Sequence, residues 1–160
     1  MFGLFKKKQE SLAIGAPVKG KTVDLHSVKD PTFGEEILGK GVAILPEDGN
    51  IFAPADGEIS MIFDTGHAVS LVADTGCEIL VHVGLDTVKM KGDGFVLHVK
   101  NGDHVSKGQL LLEVDLEKVK AAGYDTITPI VICNTSDYEE VSGLIGKDVL
   151  PGEDIITVKK

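Results

Sequence analysis

The sequence predicts an all-β protein, a mostly antiparallel sandwich or barrel with a few short helical turns. Short apolar runs follow one another at near-regular spacing along the chain. Clusters rich in Asp, Asn and Gly separate these runs, and the chain contains 19 glycines. Short strands punctuated in this way are typical of antiparallel sandwiches and barrels. Segments with helical periodicity are scarce, which argues against helical and alternating α/β folds.

The strand candidates are apolar or alternating segments bounded by turn residues. They cover residues 21–25, 42–46, 50–53, 57–63, 68–73, 78–83, 94–99, 109–114, 128–133 and 155–159. Asp-Gly and Asn-Gly sequences end several of them, because these residues favour tight turns.

Three short segments are predicted to be helical. Residues 115–122 have a candidate N-cap in Asp115 and a stop signal at Gly123. Residues 33–38 are expected to form one or two turns, and residues 138–141 another.

The composition limits what the chain can bind. It has 160 residues, 42% of them hydrophobic, which fits one globular domain with a core. Its formal net charge is −9, so binding to nucleic acid is not expected. All 16 basic residues are lysine, so arginine at a phosphate site would have to come from a partner. Cys77 and Cys133 form no metal motif and are expected to be buried free thiols of a reducing compartment.

The N-terminus differs from the rest of the chain. Residues 1–13 are expected to form a flexible tail and residues 14–160 the folded domain. Within the tail, MFGLFKKK (residues 1–8) places three large apolar side chains before three lysines. Such a segment can make weak peripheral contact with an anionic membrane, although a plain disordered tail is the alternative. No apolar run is long enough to span a membrane and no secretory signal is recognisable, so a cytoplasmic protein is expected.

Residues 65–88, TGHAVSLVADTGCEILVHVGLDTV, contain two apolar runs around a turn signal, and each run carries one histidine. A hairpin closed by a two-residue loop at positions 74–75 would place His67 directly opposite His82. Directly opposed residues share a sheet face, with Cβ atoms about 5 Å apart. The spacing therefore suggests a site with two imidazoles.

The register of this hairpin depends on the length of its loop. In the register above, Thr65 falls opposite Gly84, which adds a hydroxyl and leaves room for an approaching partner. A three-residue loop at 74–76 would break the pairing, because a one-residue slip reverses the faces. The spacing leaves both registers open.

His82 is a titratable side chain among apolar neighbours, and three chemistries suit it. Neutral imidazole has one free nitrogen that can attack phosphorus when a backbone acceptor holds the proton of the other nitrogen. Two imidazoles together with Asp64 or Asp86 could bind zinc, although no HxH, HExxH or CxxC pattern supports this. General acid–base catalysis usually needs more convergent polar groups than this face offers.

Residues 76–88, GCEILVHVGLDTV, resemble the phosphorylation signature of the IIA component of the glucose family in the bacterial sugar phosphotransferase system. That signature is a glycine, an apolar triplet, a histidine, a glycine two residues on, and Thr followed by Ala or Val. Other blocks also look like the family: DPTFGEEILGKGVAILPEDG, IFAPADGEI, IFDTGHAVSL, KGDGF and TPIVICN. The resemblance extends from Ile14 nearly to the C-terminus.

The resemblance implies a mostly antiparallel β-sandwich or flattened barrel that relays phosphoryl groups without a cofactor or a metal. His82 would accept the phosphoryl group from the phosphohistidine of the carrier protein HPr and pass it to a cysteine on the IIB domain of a glucose-type sugar permease. His67 and Thr65 match the second histidine and the threonine that support the phosphorylated residue. Gly84 matches the second glycine of the signature.

The resemblance also implies a partner-binding face. Asp30 and Asp86 match acidic residues that meet arginines of the partner, which agrees with the absence of arginine from this chain. The apolar positions of that face are Phe33, Ile37, Leu38, Phe63, Leu80 and Val88. A regulatory module that binds other proteins through this face without phosphoryl turnover is the alternative function.

Overall fold

The computed structural model describes residues 11–160, and they form mainly β-strands, as the sequence predicts. The strands are β1 (Ser11–Gly15), β2 (Gly20–Asp24), β3 (Lys40–Pro46), β4 (Asn50–Phe52), β5 (Gly57–Ile62), β6 (Ala68–Ala73), β7 (Glu78–His82), β8 (Phe95–Leu97), β9 (His104–Val105), β10 (Leu110–Val114), β11 (Thr128–Ile132), β12 (Glu140–Gly143), β13 (Asp148–Val149) and β14 (Asp154–Lys159). The helices are α1 (Pro31–Gly34) and α2 (Leu116–Ala121), and single 3₁₀ turns occupy Leu25–Ser27, Thr87–Met90 and Thr135–Asp137.

The predicted boundary between the tail and the domain, between residues 13 and 14, lies too late in the chain. Strand β1 pairs with β14 from Ser11 onward, so residues 11–13 belong to the folded domain. The expected membrane contact of residues 1–8 lies outside the described residues.

The predicted strands are confirmed to within two residues at each end, and β6 has the predicted limits. Helix α2 is capped as predicted, because the Asp115 side chain accepts a hydrogen bond from the Lys118 amide. Helix α1 spans Pro31–Gly34, so it both begins and ends earlier than the predicted residues 33–38. The predicted helical turn at residues 138–141 is wrong: Glu140–Gly143 is strand β12, whose backbone groups pair with β14. The two-residue strands β9 and β13 are too short to leave a sequence pattern.

All paired strands within residues 11–160 are antiparallel, and they form three sheets. The large sheet has the order β13-β2-β3-β11-β7-β6-β5-β9, and the small ones are β1-β14-β12 and β4-β10-β8. The main core draws side chains from all three sheets. Ile130 of β11, Ile156 of β14 and Leu112 of β10 are each no more than 1% exposed. Such burial from facing sheets is the defining feature of a β-sandwich.

The opposite face of the large sheet carries a second hydrophobic cluster, called here the outer cluster. It is formed by Leu25, Val28, Phe33, Ala43, Leu85, Ile127 and Val131. The chain between β2 and β3 supplies three of these side chains and folds over strands β3 and β11. This segment positions the site described below, because β7 lies beside β11 in the same sheet.

No helix within residues 11–160 has the length and apolar character needed to cross a membrane.

Candidate functional site

His82 is the last residue of β7, a strand in the interior of the large sheet. Strand side chains alternate between faces, so Ile79 and Val81 enter the main core while Leu80 and His82 face the outer cluster. Strand β7 is hydrogen-bonded on both sides, to β6 and to β11. The imidazole is therefore carried on a backbone that neighbouring strands hold in place.

The Nδ1 atom of His82 lies 2.6 Å from the carbonyl oxygen of Gly84. A carbonyl oxygen can only accept a hydrogen bond, so Nδ1 must be the donor and must carry the proton. In the neutral ring the other nitrogen, Nε2, then has a free lone pair. This geometry matches the requirement for a histidine nucleophile: one nitrogen is tethered and the other is available for attack.

Gly84 serves the site differently from the sequence-based expectation. It was expected to leave space for an approaching partner, but it is buried, and a Cβ there would lie 2.8 Å from the Asp125 carbonyl oxygen and 2.7 Å from the Thr87 side chain. Its φ of +80° also favours glycine. Glycine is required here so that the loop can turn its carbonyl toward His82.

The loop that carries this carbonyl is braced by residues that the sequence did not single out. Buried Thr87 donates a hydrogen bond from Oγ1 to the carbonyl of Val83, with a distance of 2.6 Å. The amide of Leu85 donates to the carbonyl of Asp125 at 3.0 Å. Thr87 belongs to the signature pattern, but its spacing alone gave it no role. The Asp125 contact joins distant parts of the chain and left no local signal.

Of the two hairpin registers that the spacing left open, the one that pairs His67 with His82 is wrong by one residue. Ala68, not His67, is opposite His82. The loop has three residues, since the Ala73 amide bonds the Cys77 carbonyl and Gly76 has a φ of +95°. This is the second register that the spacing allowed.

His67 nevertheless reaches His82, with ring centroids 5.4 Å apart and planes inclined at 73°. It precedes the first residue of β6, so strand alternation does not govern its side chain. The Thr65 hydroxyl lies 2.5 Å from Nδ1 of His67. When that hydroxyl donates, the His67 proton is on Nε2. The structure therefore brings together both predicted histidines and the threonine.

Each histidine also contacts one phenylalanine ring. The ring centroids of Phe33 and His82 are 4.9 Å apart, and those of Phe63 and His67 are 4.8 Å apart. Both distances lie in the range of favourable aromatic pairs. Each imidazole is thus in contact with one apolar ring.

Burial favours the neutral form of both imidazoles. It is the main cause that lowers the pKa of His82, and it is opposed by the hydrogen bond to Gly84 and by the carboxylates of Asp30 and Asp86. The pKa of His67 is also lowered, first by burial and second by the repulsion that a charge on His82 would exert. A neutral imidazole is the form that can act as a nucleophile.

The predicted partner-binding face is only partly exposed. Ile37, Leu38, Phe63 and Val88 have 38% to 67% of their surface accessible, and Leu80 is half-buried. Asp86 is exposed and Asp30 half-buried. Phe33 was predicted to lie on this face, but that prediction is wrong. The residue is 3% exposed and belongs to the outer cluster. It cannot present its ring to a partner in this conformation.

Within residues 11–160, no group of three or more His, Cys, Asp or Glu side chains is arranged to hold a metal ion.

The two cysteines differ from each other in exposure. Cys77 is buried as expected, and burial raises its pKa to about 11. Cys133 is exposed, contrary to expectation.

The family model of the phosphoenolpyruvate-dependent sugar phosphotransferase system, EIIA 1, matches residues 12–138. The chain belongs to this family. It is a phosphotransferase component of that system and takes part in its relay of phosphoryl groups. This finding confirms the resemblance that the sequence motifs indicated.

Individual relatives support the assignment. The chain is 42% identical over 166 residues to the PTS system glucose-specific EIIA component of Halalkalibacterium halodurans, covering 99% of this chain and 96% of that protein. It is 48% identical over 125 residues to the PTS system beta-glucoside-specific EIIBCA component of Bacillus subtilis, covering 78% of this chain. The match spans only 20% of that longer relative.

A solved structure has the same fold as this EIIA-family chain. The glucose permease IIA from Mycoplasma capricolum superimposes with a TM-score of 0.85 at 33% sequence identity, covering 92% of this chain and 96% of the other. The predicted fold class, an antiparallel β-sandwich, is therefore confirmed.

We expect the free energy of unfolding to fall as the pH is lowered below about 6.5, the ordinary histidine pKa. Burial lowers the pKa of His82 and His67 in the folded chain, so the unfolded chain binds protons more readily in this range. Urea unfolding between about pH 7 and pH 5 measures the effect. His82→Gln should flatten the dependence, because it removes a buried imidazole whose pKa is lowered. An unchanged slope for His82→Gln would contradict the assignment.

Proposed function

We propose that this chain is a phosphohistidine carrier of the cytoplasm, which takes a phosphoryl group from HPr onto Nε2 of His82 and passes it to the cysteine of a IIB domain of a glucose-type sugar permease. The observation that carries this proposal is the hydrogen bond between Nδ1 of His82 and the Gly84 carbonyl. It leaves Nε2 as the free nucleophile of a neutral ring. The names of relatives that join EIIA to EIIB in one chain support a IIB acceptor.

The transfer needs no cofactor. The Nε2 lone pair of His82 forms a bond to phosphorus while the bond from phosphorus to the donor's imidazole breaks, and that electron pair returns to the donor ring. The proton on Nδ1 of His82 stays in place, because the Gly84 carbonyl holds it. Discharge reverses this sequence toward a cysteine thiolate.

His67 would assist discharge more than acceptance. With Thr65 donating to its Nδ1, the Nε2–H of His67 is free to donate to an oxygen of a phosphoryl group on the neighbouring His82. Such a donor stabilises negative charge as the group leaves. During acceptance, groups of HPr can perform this function instead.

The exposed part of the predicted face would bind the partners. Ile37, Phe63 and Val88 are large apolar side chains left accessible, and the Phe63 ring contacts His67. Asp30 and Asp86 act on His82 through space, so they are close enough to meet basic groups of a partner that reaches it. Apolar centres with charged rims are common at transient interfaces.

His82→Gln should abolish phosphorylation by phosphoenolpyruvate, enzyme I and HPr, and it should leave the fold intact. Glutamine keeps a polar side chain of similar reach but has no nucleophilic nitrogen. Intact-mass spectrometry and circular dichroism measure the two effects. Phosphate found on another residue, in the wild type or in this variant, would refute the assignment. A folded wild-type chain that takes no phosphate would instead favour the regulatory binding module.

His67→Gln should accept phosphate from HPr but discharge it to a IIB domain more slowly, by about 100-fold. Thr65→Ala should act in the same direction and more weakly, because it removes the group that orients His67. The two half-reactions are measured separately by rapid quench. Discharge of His67→Gln at the wild-type rate would show that His67 is a bystander.

Ile37→Ser and Val88→Ser should each weaken binding of HPr by about tenfold, because they remove exposed apolar contacts near the centre of the proposed interface. Raised salt should weaken binding less than either substitution does. Isothermal titration calorimetry gives the Kd values. Leu150→Ser is the matched control, since Leu150 is 55% exposed beside β13 at the far edge of the sheet. Equal effects of all three variants would place the interface elsewhere.

A further inference from the structure

The buried Phe33 ring is part of the surroundings of His82. Its centroid lies 4.9 Å from the centroid of the imidazole, and the two planes are inclined at 53°. Only 3% of the residue is exposed. The ring therefore faces His82 from inside the protein, in a position that no partner can occupy.

The backbone around Phe33 is fixed. Asp30 caps α1, since its side chain accepts from the Thr32 amide at 3.0 Å and its carbonyl accepts from the Phe33 amide at 3.0 Å. Pro31 occupies the first turn of the helix, where its restricted φ suits the helical conformation. The side chain is then packed among the residues of the outer cluster. The aromatic ring is thus held rigidly against the imidazole.

Phosphorylation changes the charge of the imidazole that Phe33 contacts. When Nε2 of His82 bonds to phosphorus and Nδ1 keeps its proton on the Gly84 carbonyl, the ring becomes an N-phosphorylated imidazolium. The donor imidazole loses its phosphoryl group and becomes neutral, so the total charge is conserved. The carrier must therefore stabilise a cationic ring that it has largely removed from water, which is costly without compensating groups.

We propose that Phe33 stabilises the phosphorylated state of His82 through contact between its π system and the imidazolium ring, and so helps to set how strongly the carrier holds its phosphoryl group. The centroid distance falls within the roughly 6 Å over which cations interact with aromatic rings. This inference rests on the proposed function, because it needs the phosphoryl group to be on His82. It assigns Phe33 a positioning and electrostatic role in place of the docking role expected from the sequence.

Other groups also act on this ring. The carboxylates of Asp30 and Asp86 favour its positive charge, and the Gly84 carbonyl accepts its Nδ1 proton. His67 contributes a neutral ring at 5.4 Å. Phe33 differs from all of these because it can be made non-aromatic without removing a charge or a hydrogen bond.

The test compares Phe33→Leu and Phe33→Met with the wild-type chain. Each carrier is mixed with a limiting amount of phosphorylated HPr, free of phosphoenolpyruvate, and the equilibrium ratio of phosphorylated to free carrier, divided by that of phosphorylated to free HPr, is measured. We expect this ratio to fall by about fivefold in both variants. Phosphorus NMR should also show that the phosphorylated imidazole releases its Nδ1 proton at lower pH. Ile127→Val loosens the same cluster and should change neither quantity.

A ring-fluorinated phenylalanine at position 33 keeps the shape of the side chain and withdraws π density, so it decides the question even if Phe33→Leu and Phe33→Met fail to fold. A shift toward phosphorylated HPr supports the proposal. An unchanged equilibrium and an unchanged proton release, in folded protein with phosphate on His82, would overturn it. Absence of phosphate from His82 in the wild type would overturn the proposed function instead, so the two failures are distinguishable.

Discussion

One hydrogen bond, from Nδ1 of His82 to the carbonyl oxygen of Gly84, decides which chemistry the pair of histidines can perform. It fixes the tautomer and leaves Nε2 free. The bond exists because Gly84 adopts a left-handed backbone conformation that directs its carbonyl back toward the strand. Thr87 holds that loop from within, and the Asp125 carbonyl holds it from the neighbouring loop. The position of a single proton therefore depends on two separate parts of the chain, residues 82–87 and the loop that contains Asp125.

The location of His82 in the sheet explains why this arrangement is stable. Strand β7 is paired on both sides, and its alternate side chains are anchored in the main core. On the other face, the segment between β2 and β3 folds over the sheet and brings Phe33 against the imidazole. The resulting burial favours the neutral ring, and the Gly84 carbonyl satisfies its one buried proton. Packing and reactivity therefore have the same structural origin.

The site relies on neutral donors and aromatic rings more than on positive charge. The sequence contains no arginine, and its net charge is −9. The ionised groups that act on His82 are the carboxylates of Asp30 and Asp86. Such surroundings suit a carrier that must release its phosphoryl group, because fixed cations around the phosphate would hold it too firmly. They also favour association with basic partners.

The sequence by itself determined the family, the sandwich fold, most strand limits and the candidate site residues Thr65, His67 and His82. These follow from local patterns, since strand alternation, turn residues and a contiguous signature are encoded within a few residues. The tertiary structure alone decided the hairpin register, the function of Gly84 and the burial of Phe33. Each depends on contacts between segments distant in the chain: loop closure, the Asp125 carbonyl and the outer cluster. Local patterns contain no information on such contacts, so only the folded chain determines them.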